Sequence, residues 1–309
     1  MGDYVDDIIR KFNQEKRKHE IKVGMTLGGR FFLEEMLESG AVANVFRAKD
    51  NGTGEDVAVK VVEFGKYIGS EGIARFKREA EILSKYHHPN IVNLRYYDKT
   101  DRNLFYVMDL IKGKDLYYLI KDEGKLEPKR AVTMAKKIAS ALSGMHERAI
   151  IHRDVKPENI MVSNPGTKEE DFILIDLGVV KLRYKLAPHL TTTGEFLGTI
   201  PFVPPEQIRG LLVDERGDIY SLGAVLYNAV CGKPHFVKKK GEKDTRFMRR
   251  ILMREPPQPN KLNPRIPIGL NDAILKALAK NPDERYQSCY EFSSALEEFE
   301  KNYFTVKNG

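Results

Sequence analysis

Residues 150–162, IIHRDVKPENIMV, place several chemically distinct side chains between two apolar runs. The carboxylate of Asp154 is suited to accept or orient the proton of an attacking hydroxyl. The cation of Lys156 is suited to stabilise charge on a transferring phosphoryl group, and the amide of Asn159 to help hold a metal ion. An ordinary polar surface turn does not account for this density of different groups. The residue types and their spacing therefore favour phosphoryl transfer.

A second candidate lies in FILIDLGVV, residues 172–180, where an apolar strand pattern ends in Asp176. Taken alone, such a carboxylate is equally well explained as a helix cap or a turn residue. Because it follows soon after residues 150–162, Asp176 is also a candidate ligand for Mg²⁺, since hard cations prefer carboxylate oxygens.

A third candidate, Lys60, ends the alternating stretch DVAVK, and Glu79 follows on a predicted helix. A strand-end lysine and a helix glutamate usually face solvent, and these two residues alone leave that interpretation open. The Val-Ala-Val-Lys order is also typical of the lysine that contacts nucleotide phosphates.

The stretch LESGAVANVF at 37–46 precedes that lysine and is only partly typical of a nucleotide loop. A glycine-rich loop of the common type would have glycine at 38, 40 and 43, where this chain has Glu38, Gly40 and Ala43. One glycine before a valine is a weak signal, so the stretch by itself decides nothing.

The elements that must position these side chains change character along the chain. From about 30 to 110 the pattern is mostly that of strands, interrupted by one helix, GIARFKREAEILSKY. After 115 the pattern is mainly helical, and IKGKD at 111–115 is the predicted connector. Apolar residues at helical spacing also predict an amphipathic helix over residues 5–20.

The amino-acid composition limits the class of protein to which this chain can belong. With 41% hydrophobic and 31% charged residues over 309 positions, the chain is that of a soluble globular protein. No apolar run reaches the roughly 18 residues of a membrane-spanning helix, and acidic residues near the N-terminus argue against a secretory signal. Two distant cysteines, Cys231 and Cys289, fit a reducing compartment, so we expect a cytoplasmic protein.

The formal net charge is +7, which would suit a nucleic acid, a membrane surface or an acidic partner. We interpret this charge as scattered, with the three lysines at 238–240 in a solvated surface loop. We therefore expect no nucleic-acid partner.

Together these motifs resemble the eukaryotic-type protein kinases, most closely the bacterial serine/threonine branch, from about residue 27 to residue 298. The resemblance implies an α+β, two-lobed fold with a small strand-rich N-lobe at 25–111 and a larger helical C-lobe at 112–304. Residues 1–24 would form an N-terminal helical extension. This extension is expected to pack on its own strand-rich lobe, or to dock on a partner, a second copy or a membrane surface.

The resemblance also assigns roles within the site. Lys60 and Glu79 match the ion pair that grips the α- and β-phosphates, and Asp154 matches the catalytic base. Lys156 matches the phosphate-contacting lysine, and Asn159 and Asp176 match the ligands of Mg²⁺, for which Mn²⁺ is the alternative. The resemblance further assigns positions in the nucleotide loop and the adenine site, with a gatekeeper at 108 and a hinge at 109–111. The residues that match these positions are Leu37, Gly40, Val45, Ala58, Met108, Asp109, Ile111 and Met161.

The C-terminal half resembles the family further. GTIPFVPPEQ at 198–207 matches the end of an activation segment, with Thr199 as the threonine typical of serine/threonine kinases. Glu206 and Arg285 match an ion pair, and Asp218 matches the residue that braces the catalytic loop. We expect autophosphorylation at Thr191, Thr192 or Thr193, with the phosphate paired by Arg153 and Lys181, because added phosphate can order a loop through arginine.

The sequence thus predicts an ATP-dependent serine/threonine protein kinase acting on protein substrates. Two alternatives remain at this point. A pseudokinase would bind nucleotide or partners with little turnover, and the incomplete glycine loop motivates it. A small-molecule phosphotransferase is less favoured, because the activation-segment and Arg285 matches resemble parts that serve protein substrates.

Overall fold

The computed structural model describes residues 21–39, 43–63, 70–100, 103–176 and 200–304. The chain divides into two compact units. The first comprises Met1–Ser84 and Asn93–Leu110, and the second comprises Lys85–Val92 and Ile111–Gly309. The helix predicted over residues 5–20 lies outside the described residues.

The first unit is built on a six-stranded sheet in the order β1-β2-β3-β4-β6-β5, in which the paired neighbours are antiparallel. One helix, α1, lies between β4 and β5 in the chain and contacts β5. These elements are β1 (Thr26–Leu27), β2 (Phe31–Ser39), β3 (Ala43–Asp50), β4 (Asp56–Glu63), α1 (Ser70–Ser84), β5 (Leu94–Lys99) and β6 (Asn103–Asp109).

Alternation along the central strand β4 explains why this sheet forms. Val57, Val59 and Val61 are buried in one apolar cluster with aromatic and aliphatic residues of β2, β3 and β6. Because side chains alternate across a strand, the residues between these valines, including Ala58 and Lys60, project from the opposite face. β-Branched valines favour this pleated, buried environment.

The β3–β4 turn is held by Asp50, which is almost fully buried. Arg30 donates two hydrogen bonds to its carboxylate, at 2.6 and 2.7 Å, and the backbone N–H of Gly52 donates another at 2.9 Å. The hydrogen bond from Arg30 lowers the pKa of Asp50 to about 2. Gly54, in the turn between β3 and β4, adopts φ +76°, a conformation that favours glycine.

The second unit is mainly helical and contains a small sheet of order β7-β8-β9. Its helices and strands are β7 (Lys114–Asp115), α2 (Leu116–Glu123), α3 (Pro128–His146), β8 (Ile160–Ser163), β9 (Asp171–Leu174), α4 (Pro205–Ile208), α5 (Glu215–Cys231), α6 (Asp244–Met253), α7 (Pro259–Leu262), α8 (Ile268–Ala277) and α9 (Cys289–Phe304). Short 3₁₀ turns lie at Pro157–Asn159, Ile200–Phe202 and Pro282–Glu284.

Helix α5 is the centre of this unit, because nearly all of its residues are buried and it packs against α3, α8 and α9. A helix that is buried on all sides belongs in a core. Asp214 caps its first turn by accepting from the N–H of Arg216. Gly232 ends it at φ +74°, and a Cβ there would come within 2.1 Å of the carbonyl oxygen of Gly124. Only glycine fits this helix end.

Across the described residues, no helix combines the length and the apolar character needed to cross a membrane.

Candidate active site

In the first unit, strand register places the predicted nucleotide residues on one face of the sheet. Val45 lies opposite Lys60 across β3 and β4, and Ala58 lies opposite Met108 across β4 and β6. Directly paired residues share a face, and this face is the one opposite the buried valines of β4. Ala58 and Met108 are each 5% exposed, so they form an apolar patch on the face of the sheet from which Lys60 also projects.

The structure describes only some of the other predicted residues of this unit. Leu37 lies in an irregular part of β2 and is 47% exposed. Glu79 lies on α1, but its side chain is outside the described residues, as is Gly40. The carboxylate of Asp109, at the end of β6, accepts a hydrogen bond from Arg95.

The backbone conformations of Ala43 and Glu38 show whether the two missing glycines of the loop cause strain. Ala43 begins β3 and is paired with Val62, in ordinary extended backbone. Glu38 lies in β2 opposite Val45, with an exposed side chain. Neither residue is among the described non-glycine residues with positive φ, so neither replacement of glycine strains the backbone.

In the second unit, the residues of the predicted catalytic loop are brought together by hydrogen bonds. Asn159 donates from Nδ2 to the backbone oxygen of Asp154 at 2.7 Å and to its Oδ2 at 2.8 Å. The Nζ of Lys156 lies 3.5 Å from the same Oδ2. The carboxylate is thus held by one amide and one cation, with both partners supplied from within five residues of the chain.

The strand end that carries Asp176 is tied to the same loop. The backbone N–H of Ile175 donates to the carbonyl oxygen of Asn159 at 3.0 Å. Strands β8 and β9 pair from Ile160 opposite Leu174 onward, and this register fixes where β9 ends. Met161, on β8, is partly buried, and Ile111 lies just before β7.

Asp218, at the start of α5, anchors the backbone of the loop that leads to Asp154. Its two carboxylate oxygens accept hydrogen bonds from the backbone N–H groups of His152 and Arg153, each at 2.8 Å. Its Oδ2 also lies 2.8 Å from Nε2 of His146. Burial raises the pKa of this fully buried carboxyl, but the hydrogen bond from His146 and the nearby histidines outweigh it, so the pKa lies below its usual range.

Arg153 adopts φ +62°, which is unfavourable for a residue with a side chain. The bond from its N–H to Asp218 stabilises this conformation. Strained backbone that is held in place by surrounding contacts is common at functional sites. The buried carboxylate therefore determines the shape of the loop that presents Asp154.

Asn159 and Asp176 are the predicted ligands of a metal ion. Among the described residues, no group of three or more His, Cys, Asp and Glu side chains is arranged to hold one. Asn159 and Asp176 supply one amide and one carboxylate, and since Nδ2 of Asn159 is used on Asp154, its Oδ1 is the atom suited to a cation. Mg²⁺ typically takes few protein oxygens and completes its shell with water and substrate phosphates. The two residues fit that cation and do not fit a structural zinc site.

Glu206 and Arg285 form a buried, two-pronged ion pair, with both N···O distances at 2.7 Å. Arg285 also donates to the carbonyl oxygens of Ala279 and Arg216, at 2.8 and 2.9 Å. This pair joins α4, just after the predicted activation segment, to the turn before α9. The remaining predicted residues of that segment, Lys181, Thr191, Thr192, Thr193 and Thr199, lie outside the described residues.

His146 was not identified from the sequence, although it contacts the buried carboxylate of Asp218. It ends α3 within the pattern of an amphipathic helix, where a histidine is an ordinary residue. Its separation of 72 positions from Asp218 leaves no local signal that could have shown the contact.

Comparison with known proteins agrees with this geometry. The model of the protein kinase domain family matches residues 31–299. A probable serine/threonine-protein kinase of Clostridium acetobutylicum is 36% identical over 283 residues, covering 91% of this chain and 41% of the relative. The kinase pkn3 of Myxococcus xanthus is 34% identical, with 90% and 51% covered, and PrkC of Bacillus subtilis is 32% identical, with 89% and 41% covered.

The chain spans about half the length of these relatives, or less. Among solved structures, the PknI kinase domain of Mycobacterium tuberculosis has a TM-score of 0.69 at 24% identity, covering 90% of this chain and 99% of that one. The fold is thus the two-lobed α+β fold, with a strand-rich lobe and a larger helical lobe. The chain belongs to the protein kinase domain family, and its relatives are bacterial serine/threonine protein kinases.

Proposed function

We propose that this chain transfers the γ-phosphoryl group of ATP to serine or threonine hydroxyls of proteins, with Mg²⁺ or Mn²⁺ as the cation. The observation that carries the proposal is the cluster of Asp154, Lys156 and Asn159, held by hydrogen bonds on a loop that Asp218 anchors. A chain without selection for turnover has no need to keep this set of interacting groups. In this proposal the N-lobe comprises 25–111 and the C-lobe 112–304.

Each residue of the cluster would have a distinct part in the reaction. Asp154 accepts or orients the proton of the substrate hydroxyl through its carboxylate. Lys156, beside that carboxylate, stabilises negative charge on the group in transfer, while Asn159 fixes the Asp154 rotamer. A bound Mg²⁺ supplies electrostatic stabilisation of the phosphates, and Asn159 and Asp176 are the residues that would hold it.

The first unit would contribute nucleotide binding. Val45, Ala58 and Met108 provide apolar surface of the kind that takes an adenine ring, and Lys60 provides a cation for the phosphates. Leu37, Asp109, Ile111 and Met161 are proposed to complete the adenine site. Glu79 is proposed to orient Lys60.

Regulation of the activity is proposed to reside in the activation segment. Phosphorylation of a threonine at 191–193 by the chain itself would add a dianion, for which Arg153 and Lys181 are the proposed cationic partners. Free thiols at Cys231 and Cys289 fit action in a reducing compartment. The N-terminal residues 1–24 are proposed to contact the N-lobe or a partner.

The pseudokinase alternative rests on Glu38 and Ala43, and the structure weakens it. Both residues occupy extended strand backbone in which a side chain is tolerated. We therefore expect modest loss of ATP affinity at most.

The proposal is tested with Asp154→Asn, assayed with radiolabelled ATP, Mg²⁺ and a generic basic protein. The variant should keep the thermal stability of the wild type, because the amide retains the hydrogen-bonding shape. Its turnover should fall by orders of magnitude, because an amide cannot accept the hydroxyl proton. Phosphorylation at the wild-type rate by this variant, or none by the wild type, would refute the proposed function.

A further inference from the structure

The net charge of the chain is concentrated in one segment, contrary to the expectation that it is scattered. Residues 233–254 contain nine lysines and arginines against two acidic residues, a difference of +7. The formal charge of the whole chain is also +7. The charges of the other residues therefore sum to zero, and this segment, which comprises the loop before α6, α6 itself and Arg254, holds an excess equal to that of the whole chain.

The two acidic residues of the segment are already neutralised. Glu242 accepts from Nη2 of Arg250 at 2.8 Å and from the backbone N–H of Lys239 at 2.9 Å, and the hydrogen bond from Arg250 lowers its pKa. Asp244 is buried and lies 2.5 Å from Nζ of Lys238. Neither carboxylate is available to balance the cations that project outward.

The outward cations are held in a defined place by the packing of α6. The opposite side of the helix, with Phe247, Met248 and Ile251, is buried in an apolar cluster that includes Ile200 and Ile208. The helix cannot roll without exposing these residues. Apart from Lys233 and from Lys238, which pairs with Asp244, six cations of the segment are exposed, and we call them the α6 basic surface: Lys239, Lys240, Lys243, Arg246, Arg249 and Arg254.

We propose that the α6 basic surface docks an acidic segment of the protein substrate. The inference rests on the proposed function, and it adds a substrate class to it. Clustered cations attract polyanions and steer their approach, so the surface is complementary in charge to an acidic segment. In addition, α6 packs on residues 200–208, which match the end of the segment that serves protein substrates in the family.

Other polyanions fit this surface less well. Binding of single-stranded nucleic acid uses exposed aromatic rings as stacking platforms, whereas the aromatic residues of this segment, Phe236 and Phe247, are buried. A helix that lies in a membrane interface inserts its apolar face, but the apolar face of α6 is used in the core. An acidic polypeptide needs only an exposed array of cations, flanked here by the exposed apolar residues Val237 and Met253.

The test uses the variant Lys239→Gln, Lys240→Gln, Arg246→Gln and Arg249→Gln in the full chain. Lys238 and Arg250 are left unchanged because they pair with buried or partly buried acids. A matched control removes the same charge from exposed lysines elsewhere in the second unit, as Lys121→Gln, Lys125→Gln, Lys168→Gln and Lys261→Gln. Thermal unfolding checks that both variants remain folded.

Binding is measured by fluorescence anisotropy with a fluorescein-labelled peptide of glutamate and aspartate residues. We expect affinity to fall about tenfold in the α6 variant and to stay unchanged in the control, because exposed ion pairs are individually weak and add up only as a set. Affinity of the wild type should also fall as salt is raised, since exposed charges are screened. No binding by the wild type, or equal losses in both variants, would overturn the proposal.

Kinetics separate this proposal from the proposed function. Two threonine-containing substrates share one acceptor sequence and carry either a glutamate–aspartate tail or a glutamine–asparagine tail. The α6 variant should raise KM only for the acidic tail, with kcat unchanged for both. If the wild type binds the acidic peptide but phosphorylates neither substrate, the proposed function fails and the surface stands. If anionic vesicles or duplex DNA need the four cations and the acidic peptide does not, the docking proposal is wrong.

Discussion

Replacing Arg285 with alanine should unfold the second unit at a markedly lower temperature. The side chain is fully buried and Glu206 is only 6% exposed, so the substitution leaves an uncompensated carboxylate in the core. Removing one member of a buried ion pair costs about 3–5 kcal/mol. It also removes the donor to the carbonyl oxygens of Ala279 and Arg216, at about 1 kcal/mol or more for each.

Protonation of Glu206 and local relaxation recover part of this cost. We therefore expect the free energy of unfolding to fall by at least about 4 kcal/mol. For a unit of this size that corresponds to a Tm lower by about 8–16 °C. Differential scanning calorimetry would measure Tm, and urea unfolding would measure the free energy. Arg265→Ala is the control, because Arg265 is 72% exposed and pairs with Glu127 at 3.1 Å. It should change stability by less than about 0.5 kcal/mol.

A second variant distinguishes the unpaired charge from simple loss of packing. Glu206→Leu combined with Arg285→Met removes both charges and fills the space with apolar atoms, which is often nearly neutral for buried pairs. The double variant should be more stable than Arg285→Ala. If Arg285→Ala loses no more than Arg265→Ala, or if the double variant loses the sum of its two single substitutions, the reasoning about the buried charge is wrong.

Three further predictions follow from the site and the core. After incubation with ATP, peptide mass spectrometry should find phosphate on at least one threonine in 191–193, with activity rising in parallel; a fully active, unmodified segment would contradict this. Burial lowers the pKa of Lys280 to about 8, so the folded state binds its proton less readily than the unfolded chain and gains stability as pH rises from about 8 towards 10. Lys280→Met should therefore raise the urea midpoint at pH 7 more than at pH 10, and an equal gain at both would count against it. Glu38→Gly with Ala43→Gly should lower the KM for ATP by about tenfold or less with kcat within a few-fold, whereas activity appearing only in that variant would favour the pseudokinase.

Much of the site could be predicted from the sequence because its residues are close together in the chain. Asp154, Lys156 and Asn159 lie within six positions, and local backbone geometry suffices to bring them into contact. The alternation of β4 likewise predicts a strand, because each valine must be buried on the same face. The turn at 51–54 and the start of α5 follow from residues with strong local preferences.

Contacts between distant positions could be expected only through the family resemblance, and their geometry is decided by the tertiary structure. Asp218 lies 72 positions from His146 and 66 from His152, and Glu206 lies 79 positions from Arg285, so no local pattern indicates either distance or geometry. The charge excess of residues 233–254 is present in the sequence, but only folding shows that its acids are paired. Burial of the apolar side of α6 leaves the cations of this helix exposed. Sequence thus determined which groups are available, and packing between distant elements decided which remain exposed.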